Sequence, residues 1–244
     1  MLIINADDWG KNKITTNNSM NCFKNGRITS VSAMVFMEDS HRAAELALEY
    51  GIDVGLHLNF TSKFSQNTTS NKLLEYQKRI NTFLRTNKYC SLLYNPILKR
   101  EFQYVFSAQY EEYIHLYHER PTHIDGHHHM HLCTNVLLQR LIPRGLKVRR
   151  NFSFTLGEKS RINRWYRSRM DRWLQRRYQC TDFFFSIKPI CKPDRLSRIV
   201  ELSRGHTVEL MVHPEKQDEY SYLLSTEYME MICDKKIGSF KIAL

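Results

Sequence analysis

Five of the chain's 11 histidines fall within residues 123–131, in the run Thr122-His123-Ile124-Asp125-Gly126-His127-His128-His129-Met130-His131. Imidazole is a common ligand for divalent transition metals. If the run is extended, alternation places His127, His129 and His131 on one side. Asp125 is suited to accept the free N–H of a ligating imidazole and so to set its tautomer. Asp125 and His129 are therefore read as residues supporting the ligands or facing the substrate, and His128 and His131 as structural or as supporting the ligands.

Three further clusters carry chemistry. Asn5-Ala6-Asp7-Asp8-Trp9-Gly10 sets two adjacent carboxylates at the end of an apolar run, which allows one to serve a metal and the other a proton. Consecutive side chains on a strand point to opposite faces, so the two cannot act together unless the strand has ended there. Gly55-Leu56-His57-Leu58-Asn59 puts a histidine at the end of a second apolar run, and Glu209-Leu210-Met211-Val212-His213-Pro214 puts one after a third. Taken singly, an Asp-Asp turn or a strand histidine is more often a cap or a satisfied core group than a ligand. Taken together, one aspartate and two histidines leave coordination positions open, as a catalytic metal site requires.

The elements that must position these groups alternate. Strands are expected at Leu2–Ala6, Ser30–Phe36, Asp53–Phe60, Thr122–Asp125, Leu146–Arg150, Phe183–Ile187 and Thr207–Val212. Helices are expected at His41–Tyr50, Leu98–His118, Cys133–Leu141, Asp194–Ser203 and Tyr220–Lys235. This alternation implies an α/β fold with a mainly parallel sheet, distorted or incomplete as a (β/α) barrel, with a doubly wound sheet as the rival. In a barrel the C-terminal strand ends build the active site, which would let Asp8, His57, His127 and His213 converge. No Gly-rich phosphate loop follows the first strand, which argues against a dinucleotide fold. The chain is read as a single domain, 1–244, with polar insertions near 61–97 and 151–182.

At 244 residues, 42% hydrophobic and 25% charged, the composition excludes general disorder and low-complexity classes. No apolar run is long enough to cross a membrane, and Met1-Leu2-Ile3-Ile4 lacks the basic start of a secretory signal. Six cysteines without a CxxC pair fit a reducing compartment, so a cytoplasmic location is expected. The net charge of +11 is local: residues 144–177 hold 12 basic and two acidic residues, leaving +1 for the remainder. Within this window Ile162, Trp165, Tyr166, Met170, Trp173 and Leu174 recur at helical spacing, with Arg161, Arg164, Arg167, Arg172 and Arg176 mostly between them. An anionic substrate or an anionic membrane surface at the inner face would suit such a helix, as would a core-packed helix with a solvated basic face. No zinc-finger, KH or RRM pattern accompanies the charge, which argues against nucleic acid. A homodimer through the apolar helices is compatible with the sequence.

The ordered set of Asn5 to Gly10, Asn25 to Val35, Gly55 to Asn59, Pro121 to His131 and Glu209 to Pro214 resembles the YdjC-like carbohydrate deacetylase family, which includes the chitooligosaccharide deacetylases. The resemblance covers about residues 1–60, 119–150 and 205–244. It implies a (β/α) barrel of the polysaccharide deacetylase-like type and hydrolysis of N-acetyl groups on a saccharide or glycoconjugate. It implies one divalent ion, zinc or magnesium, held by Asp8, His57 and His127. It further implies Asp7 as catalytic base and His213 as general acid. Trp9 stands where the family usually has Phe, and Gly126 where it has Ser. A metal phosphoesterase is the second reading, weakened because two-metal phosphoesterases need more bridging carboxylates than Asp7 and Asp8 offer. A non-catalytic glycan- or nucleic-acid-binding protein on the same fold is the third, and intact Asp7, Asp8, His57, His127 and His213 argue against it.

Overall fold

The computed structural model describes residues 1–67, 69–154, 160–190 and 193–243, without the side chains of residues 161, 162, 164, 166 and 193. Its strands are β1 (Leu2–Trp9), β2 (Ser30–Ala33), β3 (Asp53–Leu58), β4 (Ile124–Gly126), β5 (Phe183–Ser186) and β6 (Val208–Val212). Its helices are α1 (Lys13–Lys24), α2 (Ser40–Tyr50), α3 (Asn71–Thr86), α4 (Lys99–Tyr117), α5 (Thr134–Leu138), α6 (Arg161–Gln175), α7 (Pro193–Leu202), α8 (Gln217–Leu223) and α9 (Thr226–Ile232). The strands form one sheet in the order β4-β3-β2-β1-β6-β5, an α/β arrangement with β1 in the interior and two open edges. The β1–β6, β5–β6 and β3–β4 pairs are parallel. This is the incomplete form of a (β/α) barrel, and the break lies between β4 and β5.

The expected strand Leu146–Arg150 falls in chain order at that break, and it does not form. Lys147 makes an isolated parallel bridge to Gln179, with the Val148 amide donating to the Gln179 carbonyl at 2.8 Å and the Gln179 amide to that of Leu146 at 3.0 Å. A short return of chain thus takes the hydrogen bonds that a sheet neighbour would have supplied.

Contacts divide the chain into two compact units, Met1–Asp7 with Asn17–Val31 and Arg144–Leu244, and Asp8–Thr16 with Ser32–Pro143. In the first unit β1 and β6 are paired from Leu2↔Val208 to Ala6↔Val212, and both are buried throughout. The terminal ammonium caps this unit by donating to the Ser203 carbonyl at 2.5 Å and that of His206 at 2.6 Å. The expected helix Tyr220–Lys235 is two helices, because the Ser225 hydroxyl accepts from the Tyr228 amide and restarts the chain as the N-cap of α9.

α6 lies inside the basic window. Leu174 and Asp171 are buried, whereas Trp165 is 59% exposed and Trp173 36% exposed, so the two tryptophans of the expected apolar stripe face solvent rather than the core. Arg169 stacks over the Trp165 ring, 5.2 Å from its centroid. Ile162, Tyr166, Arg161 and Arg164 lie outside the described side chains.

In the second unit α2 ends at Gly51, whose φ of 64° is the left-handed C-cap that the Tyr50-Gly51 pair implies. Residues 61–97, read from sequence as a polar insertion, hold α3, which is capped by Ser70, packs on α4 and buries Leu73, Gln77, Ile80 and Leu84. No helix among the described residues is long and apolar enough to cross a membrane.

Candidate functional site

β1 passes from the first unit to the second between Asp7 and Asp8. Asp8 has a φ of 67° in the left-handed region, which an aspartate tolerates better than most residues. The left-handed residue interrupts the alternation that a continuous strand would impose, and the two consecutive carboxylates have different partners.

In the second unit, Asp8 Oδ1 lies 3.3 Å from His57 Nε2 and 3.0 Å from His127 Nδ1, and Lys11 Nζ is 3.4 Å from Oδ2. Asp8 and His57 are buried and His127 is partly so. Burial opposes the Asp8 charge, but hydrogen bonds from His127 and His57, with their attraction, outweigh it and hold the carboxyl well below the usual carboxylate range. His57 is fixed from behind: its Nδ1 is 2.8 Å from Asp125 Oδ1. Asp125 is acceptor-only when ionised, so His57 donates from Nδ1 and turns Nε2 toward Asp8. Two acceptor lone pairs cannot face each other at this distance, so a proton or a cation must sit between them. The donor atoms of Asp8, His57 and His127 lie within 4.8 Å of one another. Two imidazoles and a carboxylate so gathered suit a divalent transition-metal ion.

The histidine run is not extended. Residues 127–132 form a tight 3-10 turn in which His128 and His129 have φ of 54° and 59°. The alternation that would have set His127, His129 and His131 on one side is therefore absent. His131 is buried, and its ring centroid is 6.4 Å from that of His129. The His128 ring approaches Thr61 Oγ1 at 3.0 Å. Burial, and to a lesser degree the neighbouring His127, lower the His128 imidazole to about 4.

The loop that follows His57 is held by two buried glutamines. Gln109 on α4 accepts from the Asn59 amide at 2.7 Å. Gln77 on α3 donates to the Ser62 carbonyl at 2.8 Å and the Asn59 carbonyl at 3.3 Å, and accepts from the Phe64 amide at 3.1 Å.

In the first unit, Asp7 is gripped by Arg149: Nη2 is 2.7 Å from Oδ1 and Nη1 is 2.7 Å from Oδ2. The Asn5 amide donates to Oδ1 at 3.0 Å and is itself fixed by Ser30, whose hydroxyl donates to Asn5 Oδ1 at 2.8 Å. Arg149 Nε donates to Glu209 Oε1 on β6 at 2.6 Å, and its guanidinium covers the Phe184 ring at 4.8 Å. Asp7, Arg149 and Glu209 are all buried. The neighbouring Arg150 and Asn151 are bound by Asp171 of α6 at 2.6–3.1 Å. Of the basic window, Arg149 is thus an internal charge and the half-buried Arg150 is ion-paired. His213 follows β6, and its amide donates to the buried Glu219 at 2.6 Å, with His213 Nδ1 3.8 Å from the same carboxylate.

Sequence reasoning missed Arg149 and Glu219 in the first unit and the two glutamines in the second. One signal was present: Glu209 sits within the apolar run Val208-Glu209-Leu210-Met211-Val212, and a carboxylate in a buried strand demands a buried cation.

A family model described as YdjC-like protein matches residues 1–235. Chitooligosaccharide deacetylases of Yersinia pestis (strain Pestoides F) and Yersinia pseudotuberculosis serotype O:1b (strain IP 31758) are each 30% identical over 138 residues, 56% of this chain and 52% of theirs. The match thus spans about half the length of these curated relatives. A crystal structure from Enterococcus faecalis V583, assigned provisionally to cellobiose-phosphate cleavage, superposes with a TM-score of 0.70 at 18% identity, covering 98% of this chain and 97% of that one.

Proposed function

From the premise that this chain belongs to the YdjC-like protein family, we propose that it is a metal-dependent hydrolase removing N-acetyl groups from a saccharide. The observation that carries the reading is the gathering of Asp8, His57 and His127 donor atoms within 4.8 Å. The chitooligosaccharide deacetylase relatives supply the substrate class.

Asp8, His57 and His127 would hold a divalent ion, zinc or magnesium. When bound, such an ion supplies Lewis-acid polarisation of an acyl oxygen and acidifies a water. Asp7, adjacent in the chain, accepts the proton of the attacking water at a carboxylate oxygen. Arg149 and Asn5 keep that carboxylate in one orientation, so that no rotational freedom is lost as the proton moves. His213 donates a proton to the departing sugar amine, and its backbone is held for this by Glu219. Acetate and a free amino sugar leave. Exposed Arg144, Arg169, Arg172 and Arg176 extend the reading to an anionic or lipid-linked saccharide.

Acetate release from N-acetylated sugars, including chitobiose and a nucleotide- or lipid-linked acetylhexosamine, tests this with and without chelator. Release that the chelator abolishes and zinc or magnesium restores is expected. Binding of a metal with no release from any member would overturn the deacetylase assignment.

A further inference from the structure

We propose that Ser32 and His123 are positioning residues for His57, acting through Asp125, and that Gly55 makes room for them. The inference rests on the metal-holding role given to His57 above. Ser32, His123 and Asp125 are fully buried, and His57 is 2% exposed. The Ser32 hydroxyl donates to Asp125 Oδ2 at 2.8 Å, while Asp125 Oδ1 meets His57 Nδ1 at 2.8 Å. Ser32 Oγ also lies 3.0 Å from His123 Nε2.

The direction of each bond follows from counting protons. A carboxylate only accepts, and a hydroxyl has one hydrogen to give. Ser32 therefore spends its hydrogen on Asp125, and the hydrogen in the 3.0 Å contact comes from His123 Nε2. The other nitrogen of His123 lies 3.1 Å from Thr122 Oγ1, the hydroxyl that donates to Asp53 Oδ1 and the Val54 carbonyl. The result is a one-way sequence, from His123 to Ser32 to Asp125, that meets His57 Nδ1–H coming from the other side. With Asp125 held at both oxygens, His57 has one favourable tautomer, and Nε2 is its ligand atom. Without Ser32, Asp125 Oδ2 loses a donor in a site water does not reach, and the carboxylate can turn.

Gly55 on β3 shows that the fold is shaped around this arrangement. A Cβ at residue 55 would fall 2.3–2.5 Å from three atoms of the His123 ring. No side chain larger than hydrogen fits there while His123 keeps its place. The Leu56 amide donates to the His123 carbonyl at 2.9 Å, so the backbone beside the ring cannot easily withdraw.

The test is a double-mutant cycle on zinc affinity, read by competition with a chromophoric chelator. A companion reading, by 15N NMR, follows exchange of the His57 Nδ1–H proton. Ser32→Ala is expected to weaken zinc binding about 10- to 100-fold, to speed that exchange, and to leave the circular dichroism spectrum unchanged. Asp125→Asn should weaken binding at least as much, and adding Ser32→Ala to it should cost less than about twofold more, because coupled residues do not add. Affinity within about twofold of wild type in folded Ser32→Ala, or losses that add with Asp125→Asn, would overturn the proposal. If Ser32→Ala fails to fold, His123→Gln carries the same cycle. Failure of the functional reading looks different: the wild type would bind no zinc at all.

Discussion

The guanidinium of Arg149 meets the carboxylate of Asp7 as a parallel fork, 2.7 Å at each contact, across 142 residues of chain. The same guanidinium bonds Glu209 through Nε at 2.6 Å. One buried cation therefore faces two buried carboxylates, and it organises both.

Removing that cation should be costly. Arg149→Met leaves Asp7 and Glu209 without their shared partner, and breaking a buried ion pair in this way costs about 3–5 kcal/mol. Urea unfolding should show that loss. Arg149→Lys keeps the charge but cannot form the fork, so it should lose less stability and most of the turnover. Wild-type turnover in Arg149→Lys would mean that orientation of Asp7 is not what Arg149 supplies.

The two adjacent aspartates should separate cleanly. Asp7→Asn is expected to abolish acetate release while metal content stays near that of wild type, because Asp7 is engaged by Arg149 and Asn5. Asp8→Asn should lose the metal, because it removes the carboxylate that His57 and His127 face. Metal analysis of both purified proteins decides it: loss of metal in Asp7→Asn would show the division of labour to be wrong.

The sheet was legible because its strands are short apolar runs, and six of the seven expected ones form. Asp8, His57 and His127 were legible as a candidate ligand set because their types are restrictive and the family resemblance adds their order. What stayed hidden depends on distance in the chain. Arg149 looked like one basic residue among 12, since its partners Asp7 and Glu209 lie 142 and 60 residues away. α3 escaped because its buried stripe contains Gln77, whose role depends on the loop at Asn59 and Ser62. The turn within the histidine run stayed hidden because nothing local announces left-handed φ at His128 and His129.

His128 gives the metal-free protein a defined acid response. Burial holds its imidazole at about 4, against 6.5 when unperturbed. Between these values the unfolded chain takes up a proton that the folded chain does not, so stability falls as pH drops through this window and is fully present above it. His128→Gln should flatten the stability curve from about pH 6.5 to about pH 4. Urea midpoints measured across that range check it, and an unchanged slope would assign the acid sensitivity to other groups.

Gln77 should control the loop that follows His57 rather than the sheet itself. Its side chain makes three hydrogen bonds to backbone groups of Asn59, Ser62 and Phe64 and is buried. Gln77→Leu preserves size and helix propensity but leaves those groups without their partner, at a cost of about 1–3 kcal/mol. The loss should be local. Hydrogen exchange should quicken across residues 59–64, where the Thr61 hydroxyl meets His128, while β3 amides stay protected. Gln109 still bonds the Asn59 amide in the variant, which is why the loop should loosen rather than detach. Faster exchange spread through β3 as well would show that α3 supports the sheet, and that the loop has no independent anchor in Gln77.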